Sequence, residues 1–97
     1  MSQYDQGFEV FTDLIKQLAV SEDDVAGRLI GFFHRYPELC QVTFPEFLDH
    51  RISQIESSVD YPDYEAFIVN QDYSDLRKIA EKIFQAYQEF TQELLSK

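Results

Sequence analysis

Chemistry in this 97-residue chain would have to come from two histidines, one cysteine and its carboxylates. Glu46 and His50 stand at i and i+4, so a helix puts them on one face, where they could hold one metal ion between them. Two ligands make a weak site. A carboxylate-bridged dimetal bundle needs Glu-x-x-His on two helices, and the chain contains that spacing nowhere. Asp49 adjoins His50, and neighbours on a helix point about 100° apart, so the two do not form a clasp. The acid-rich stretch 60–75 lacks the D-x-[DN]-x-[DN]-G order of a calcium loop and has no glycine. Cys40, between Leu39 and Gln41, has no evident activating base and reads as a small, partly buried residue of a connection. His34 lies beside Phe32, Phe33 and Arg35. With no glycine-rich phosphate loop and no nucleophile elbow, the sequence predicts no enzyme, no metal and no cofactor.

The carboxylates form a more telling pattern. Between Arg51 and Arg77 there is no basic residue, while Glu56, Asp60, Asp63, Glu65, Asp72 and Asp75 all fall there, interleaved with Tyr61, Tyr64 and Tyr73. Near the start of the chain, Asp5, Glu9 and Asp13 recur every four residues, with no Lys or Arg before Lys16. On a helix these three make a ridge with a rise of about 6 Å per step, comparable to phosphate spacing along a strand. Such a ridge repels itself by a few tenths of a kcal/mol per pair, roughly.

These groups must be positioned by helices. Only three Gly and three Pro occur, and the apolar residues recur at three and four rather than two. A first helix over about 4–19 carries Tyr4, Phe8, Phe11, Ile15 and Leu18 on one stripe. Ser21 has the chemistry to cap a second helix, with Glu22, Asp23 and Asp24 in its first turn and Val25, Leu29, Phe32, Phe33 and Tyr36 following until Pro37 ends it. Thr43 and Glu46 have capping-box spacing for a third helix, with Pro45 tolerated in its first turn; Phe44, Phe47, Leu48, Ile52, Ile55 and Val59 supply its stripe. After Pro62 a short helix carries Tyr64, Phe67 and Ile68, and 70–74 reads as a turn. Ser74 and Asp75 open a final helix in which Leu76, Ile79, Ile83, Tyr87, Phe90 and Leu94 alternate at three and four, with Ala80 and Phe84 on a second flank. Such stripes can be buried only against one another. The expected fold is all-α, a compact antiparallel bundle of four to five short helices in a single domain.

Composition bounds the function. Eighteen Asp and Glu against eight Lys and Arg give a formal charge of −10, while 44% apolar and 15% aromatic residues supply a core and speak against disorder. A charge of −10 repels duplex nucleic acid and anionic membranes, so neither is an expected partner. The segment Leu18-Ala19-Val20-Ser21 followed by Val25 and Leu29 resembles a helix-turn-helix, but its second helix opens on three acids where a DNA reader presents donors. One cysteine forms no internal disulfide, acids interrupt the N-terminal region where a signal peptide needs an apolar run, and no stretch is apolar enough to span a membrane; a cytoplasmic location is expected.

The magnitude of the charge exceeds the roughly 2 to 8 that solubility asks of a small domain. The sequence therefore predicts a non-catalytic binding module of the inhibitor, immunity-protein, antitoxin or nucleic-acid-mimic type, whose acids cover a basic surface of a partner protein. Asp60, Asp63, Glu65 and Asp72 are the expected charges, Tyr61, Tyr64 and Tyr73 the contact residues, and Asp5, Glu9 and Asp13 a second patch. The alternative is a structural or regulatory helical subunit that acts through homodimerisation or assembly via its last helix, whose second flank carries Ala80, Phe84 and Tyr87.

Overall fold

Apolar spacing of three and four is realised in six helices of a computed structural model that describes residues 4–20, 24–61 and 63–95. They are α1 (Asp5–Val20), α2 (Val25–His34), α3 (Tyr36–Leu39), α4 (Glu46–Ser58), α5 (Tyr64–Val69) and α6 (Tyr73–Leu95). The described residues contain no strand. The fold is the expected all-α bundle, with two very short helices, α3 and α5, serving as corners. No helix among the described residues is long and apolar enough to cross a membrane.

The 23-residue helix α6 organises the rest. It packs against α1, α2 and α4, and its Leu76, Ile79, Ile83, Ala86 and Phe90 are all buried. The flank carrying Ala80, Phe84 and Tyr87 is also used within the chain: all three are partly buried against the core. Tyr87 stacks on Phe8 at 5.7 Å, meets Phe11 edge-on at 5.3 Å and shares a 2.7 Å hydrogen bond with the Thr12 hydroxyl. The deepest residues of α1 are Phe11, Leu14 and Leu18, so its buried line runs through Leu14, while Tyr4, Phe8 and Ile15 pack at the margin. Gly7 lets α1 close on the segment before α4: a Cβ there would lie 2.8 Å from the Thr43 carbonyl oxygen and 2.9 Å from Phe44 Cε1.

Several boundaries differ from the sequence reading. Asp24 is the cap of α2, its carboxylate accepting the Gly27 N–H at 2.9 Å, whereas the expected cap at Ser21, with Glu22 and Asp23, lies outside the described residues. Pro37 does not end helical structure; it sits in the first turn of α3, where its fixed φ suits a helix start and its missing N–H costs nothing. The capping box from Thr43 is not formed. Pro45 is the N-cap of α4 without a side-chain cap bond, because Phe44 is drawn into the core between Phe11 and Phe90 at ring separations of 6.2 and 5.5 Å. Phe47, counted in the buried stripe, is exposed. The last helix starts at Tyr73 and is capped by Asp72, whose carboxylate accepts the Asp75 N–H at 2.9 Å.

Candidate functional site

The side chains that could do chemistry are spread over separate elements. His50 is exposed, with its Nε2 at 3.3 Å from Gln54 Nε2, and no group of three or more His, Cys, Asp or Glu side chains among the described residues could hold a metal ion. Cys40 lies in the turn after α3 and is exposed rather than partly buried. Its thiol is nevertheless pushed up, first by local desolvation and then by the Glu56 carboxylate, which is the opposite of an activated thiolate.

Acids and tyrosines meet at the corner between α4 and α5. Val59 is fully buried, and the chain then turns through Asp60 in the left-handed region (φ 56°), a conformation that Asp tolerates better than most residues. The Asp60 carbonyl accepts the Asp63 N–H at 2.9 Å, closing the turn. Tyr61 and Tyr64 stack on each other at 5.7 Å with ring planes 11° apart. Both are half-buried: Tyr64 meets Phe33 at 5.5 Å and Tyr61 meets Tyr36 at 5.0 Å. Desolvation, and after it the Glu65 and Tyr61 side chains, push the Tyr64 hydroxyl up. Tyr36 itself is buried, and burial followed by a hydrogen bond to the Glu56 carboxylate holds its hydroxyl far above the ordinary phenol range.

Tyr61 and Tyr64 thus fasten α5 to α2 and α3, and only part of each ring faces outward. The fully outward residues of the region are others. Asp60, Asp63 and Glu65 are exposed at the start of α5, and Asp72 and Tyr73 are exposed beyond its end, with the turn at 70–72 between. Glu65 and Val69 stand at i and i+4 on the outer face of α5, and Val69 is 66% and Tyr73 68% exposed. Val69 carried no signal that separated it from the buried Ile68 beside it. The 60–75 strip of the chain thus exposes Asp60, Asp63, Glu65, Asp72 and Asp75 together with Val69 and Tyr73, around a six-residue helix about 9 Å long. His34 Nε2, at the end of α2, lies 3.0 Å from Glu65 Oε1, with both side chains well exposed.

Asp5, Glu9 and Asp13 are all exposed on α1. They stand on α1, which packs on α2, α3 and α6, whereas α5 packs on α2. The ridge is partly offset at its end, where Asp13 interacts electrostatically with Arg35. Arg35 is mainly engaged elsewhere, donating from Nε to Glu38 at 2.9 Å and from Nη1 to Gln17 at 3.1 Å.

Comparison with family models, with curated proteins and with solved structures finds no match to this chain.

Proposed function

We propose that this protein is a non-catalytic binding module whose 60–75 strip docks on a basic surface of a partner protein and occludes it. The observation that carries this reading is the exposure, within residues 60–75, a stretch of the chain without Lys or Arg, of Asp60, Asp63, Glu65, Asp72 and Asp75 together with Val69 and Tyr73. Carboxylates around an apolar pair have the anatomy of an interface in which charge steers approach and excluded water at the centre sets the off-rate. Lys or Arg side chains that otherwise hold phosphate are the complementary groups, so occlusion of a nucleic-acid-binding surface is the mechanism. Tyr61 and Tyr64 contribute by holding α5 in place and by their outer edges. Asp5, Glu9 and Asp13 form a second acidic patch that adds long-range attraction rather than direct contact.

Testing this requires substitutions that respect two structural duties within the strip. Asp72 caps α6 and Asp60 occupies a left-handed position, so reversal to Lys at either would damage folding as well as charge. Asn keeps both functions. The chain carrying Asp60→Asn, Asp63→Asn, Glu65→Gln and Asp72→Asn should unfold at nearly the same urea concentration as the parent. Both proteins are immobilised and exposed to extract of the source cells at low salt, then eluted on a rising salt gradient. A basic protein held by the parent, released at moderate salt and not held by the quadruple variant is the expected result. Equal retention of the same proteins by parent and variant would refute a docking role for the strip.

A further inference from the structure

The cations of this acidic protein are not scattered evenly. Arg35, Arg77 and Arg51 are paired with Glu38, Glu81 and Glu89, and Arg51 on α4 and Lys82 on α6 line one cleft. The cleft, of about 410 Å³, is lined by Arg51, Gln54, Ile55, Lys82 and Gln85. Of these, Ile55 belongs to the buried core. The walls of the cleft are the antiparallel helices α4 and α6, tied together by Arg51 Nη2 donating to Glu89 Oε1 at 2.8 Å.

We infer that this cleft is a binding site for a small oxyanion-bearing molecule, with Arg51 and Lys82 as its charge contacts and the Gln54 and Gln85 amides as further donors. Glu89 engages Nη2 of Arg51, and a guanidinium has further N–H donors with which it could meet a planar or tetrahedral anion. Gln54 contacts His50, and an amide carries a second hydrogen. Lys82 provides a compact positive charge from the opposite wall. The cleft lies within the range of ordinary small-molecule sites, about 300–1,000 Å³. The net charge of −10 does not forbid an anion here, because at physiological salt charges beyond about 8 Å are screened; within that range Glu89 offsets Arg51, and Lys82 supplies the cleft's excess positive charge. Phosphate and carboxylate share the required chemistry.

The full-length chain, isotopically labelled, is titrated with sodium phosphate and, separately, with sodium citrate, the ionic strength being held constant with sodium chloride while amide resonances are followed. Saturable shifts centred on Arg51, Gln54, Ile55, Lys82 and Gln85 with either anion are expected, and the tighter of the two assigns the ligand's chemistry. Lys82→Gln, at an exposed position outside the core, should weaken the response about tenfold without changing the rest of the spectrum. Shifts that grow linearly for both anions, that spread equally over Lys16 and Lys78, or that persist unchanged in Lys82→Gln would overturn the assignment.

Discussion

Two glycines make opposite predictions for the same substitution. Gly7→Ala adds a Cβ that meets a backbone carbonyl oxygen, that of Thr43, at 2.8 Å, and the Phe44 ring at 2.9 and 3.2 Å. Neither neighbour yields easily: the carbonyl belongs to the main chain, and Phe44 is buried, with Phe11 and Phe90 on its other sides. Overpacking of this kind costs about 1–3 kcal/mol, against a helix-propensity gain of at most ~1 kcal/mol near the start of α1. The net expectation is a loss of about 1 kcal/mol or more. Gly31→Ala instead meets only the Gln17 Nε2 atom, at 3.2 Å, the far end of an exposed side chain that can move by a few tenths of an ångström. Lower unfolded-state entropy should then stabilise the protein by roughly 0.4–1 kcal/mol. Urea unfolding followed by far-ultraviolet circular dichroism reads both, and at this size 1 kcal/mol corresponds to about 4–8 °C in Tm. Equal stabilisation by the two alanines would mean that α1 does not close on the 43–44 segment, and would remove the packing that sets where the α1 acids project.

Ile83 is fully buried at the centre of α6, and Ile83→Ala should cost about 2–5 kcal/mol; a loss below about 1 kcal/mol would mean that α6 is not the central helix. Asp72→Ala should cost about 1 kcal/mol through loss of the α6 cap while Asp72→Asn costs almost nothing, and equal losses in urea unfolding would show that charge rather than capping is at stake. Tyr36 gives an alkaline signature. Its folded pKa is raised, so the hydroxyl stays neutral in the native state while the unfolded chain ionises near pH 10; its stabilising contribution is complete below that pH and falls as pH rises above it. Between pH 10 and 11 urea midpoints should fall more steeply for the parent than for Tyr36→Phe, by up to about 1.4 kcal/mol per pH unit, and parallel slopes would place Tyr36 outside the core.

Helical class and the stripe of α6 were legible because Leu76, Ile79, Ile83 and Phe90 obey one period over a long uninterrupted run, and local spacing decides which face is buried. The boundaries were less so, and the errors cluster at prolines. A proline serves a helix start as well as it stops a preceding helix, and which role Pro37 plays depends on whether its neighbours gain by continuing. Here Tyr36 and Leu39 are both buried, which favours one more turn. At Thr43 the local capping signal competed with the burial of Phe44, and burial won: 43–45 stays extended so that the ring can reach Phe11 and Phe90.

The candidate surface divides in the same way. Exposure of the acids could be read from residue type, because an unpaired carboxylate is too costly to bury. The three tyrosines could not be told apart, since each sits in a short acid-rich segment with no period of its own. Phe33 and Tyr36, far off in sequence, draw Tyr61 and Tyr64 inward, while Tyr73, on the first turn of α6, has no such neighbour and projects. Nor could the α4–α6 cleft be seen locally, because Arg51 and Lys82 are brought together only by the antiparallel register of two helices. Under the two proposals, placement more than net charge governs recognition: the same −10 chain would meet a basic protein through residues 60–75 and a small anion through Arg51 and Lys82. The two surfaces should respond independently, the first to the Asp→Asn and Glu→Gln set and the second to Lys82→Gln.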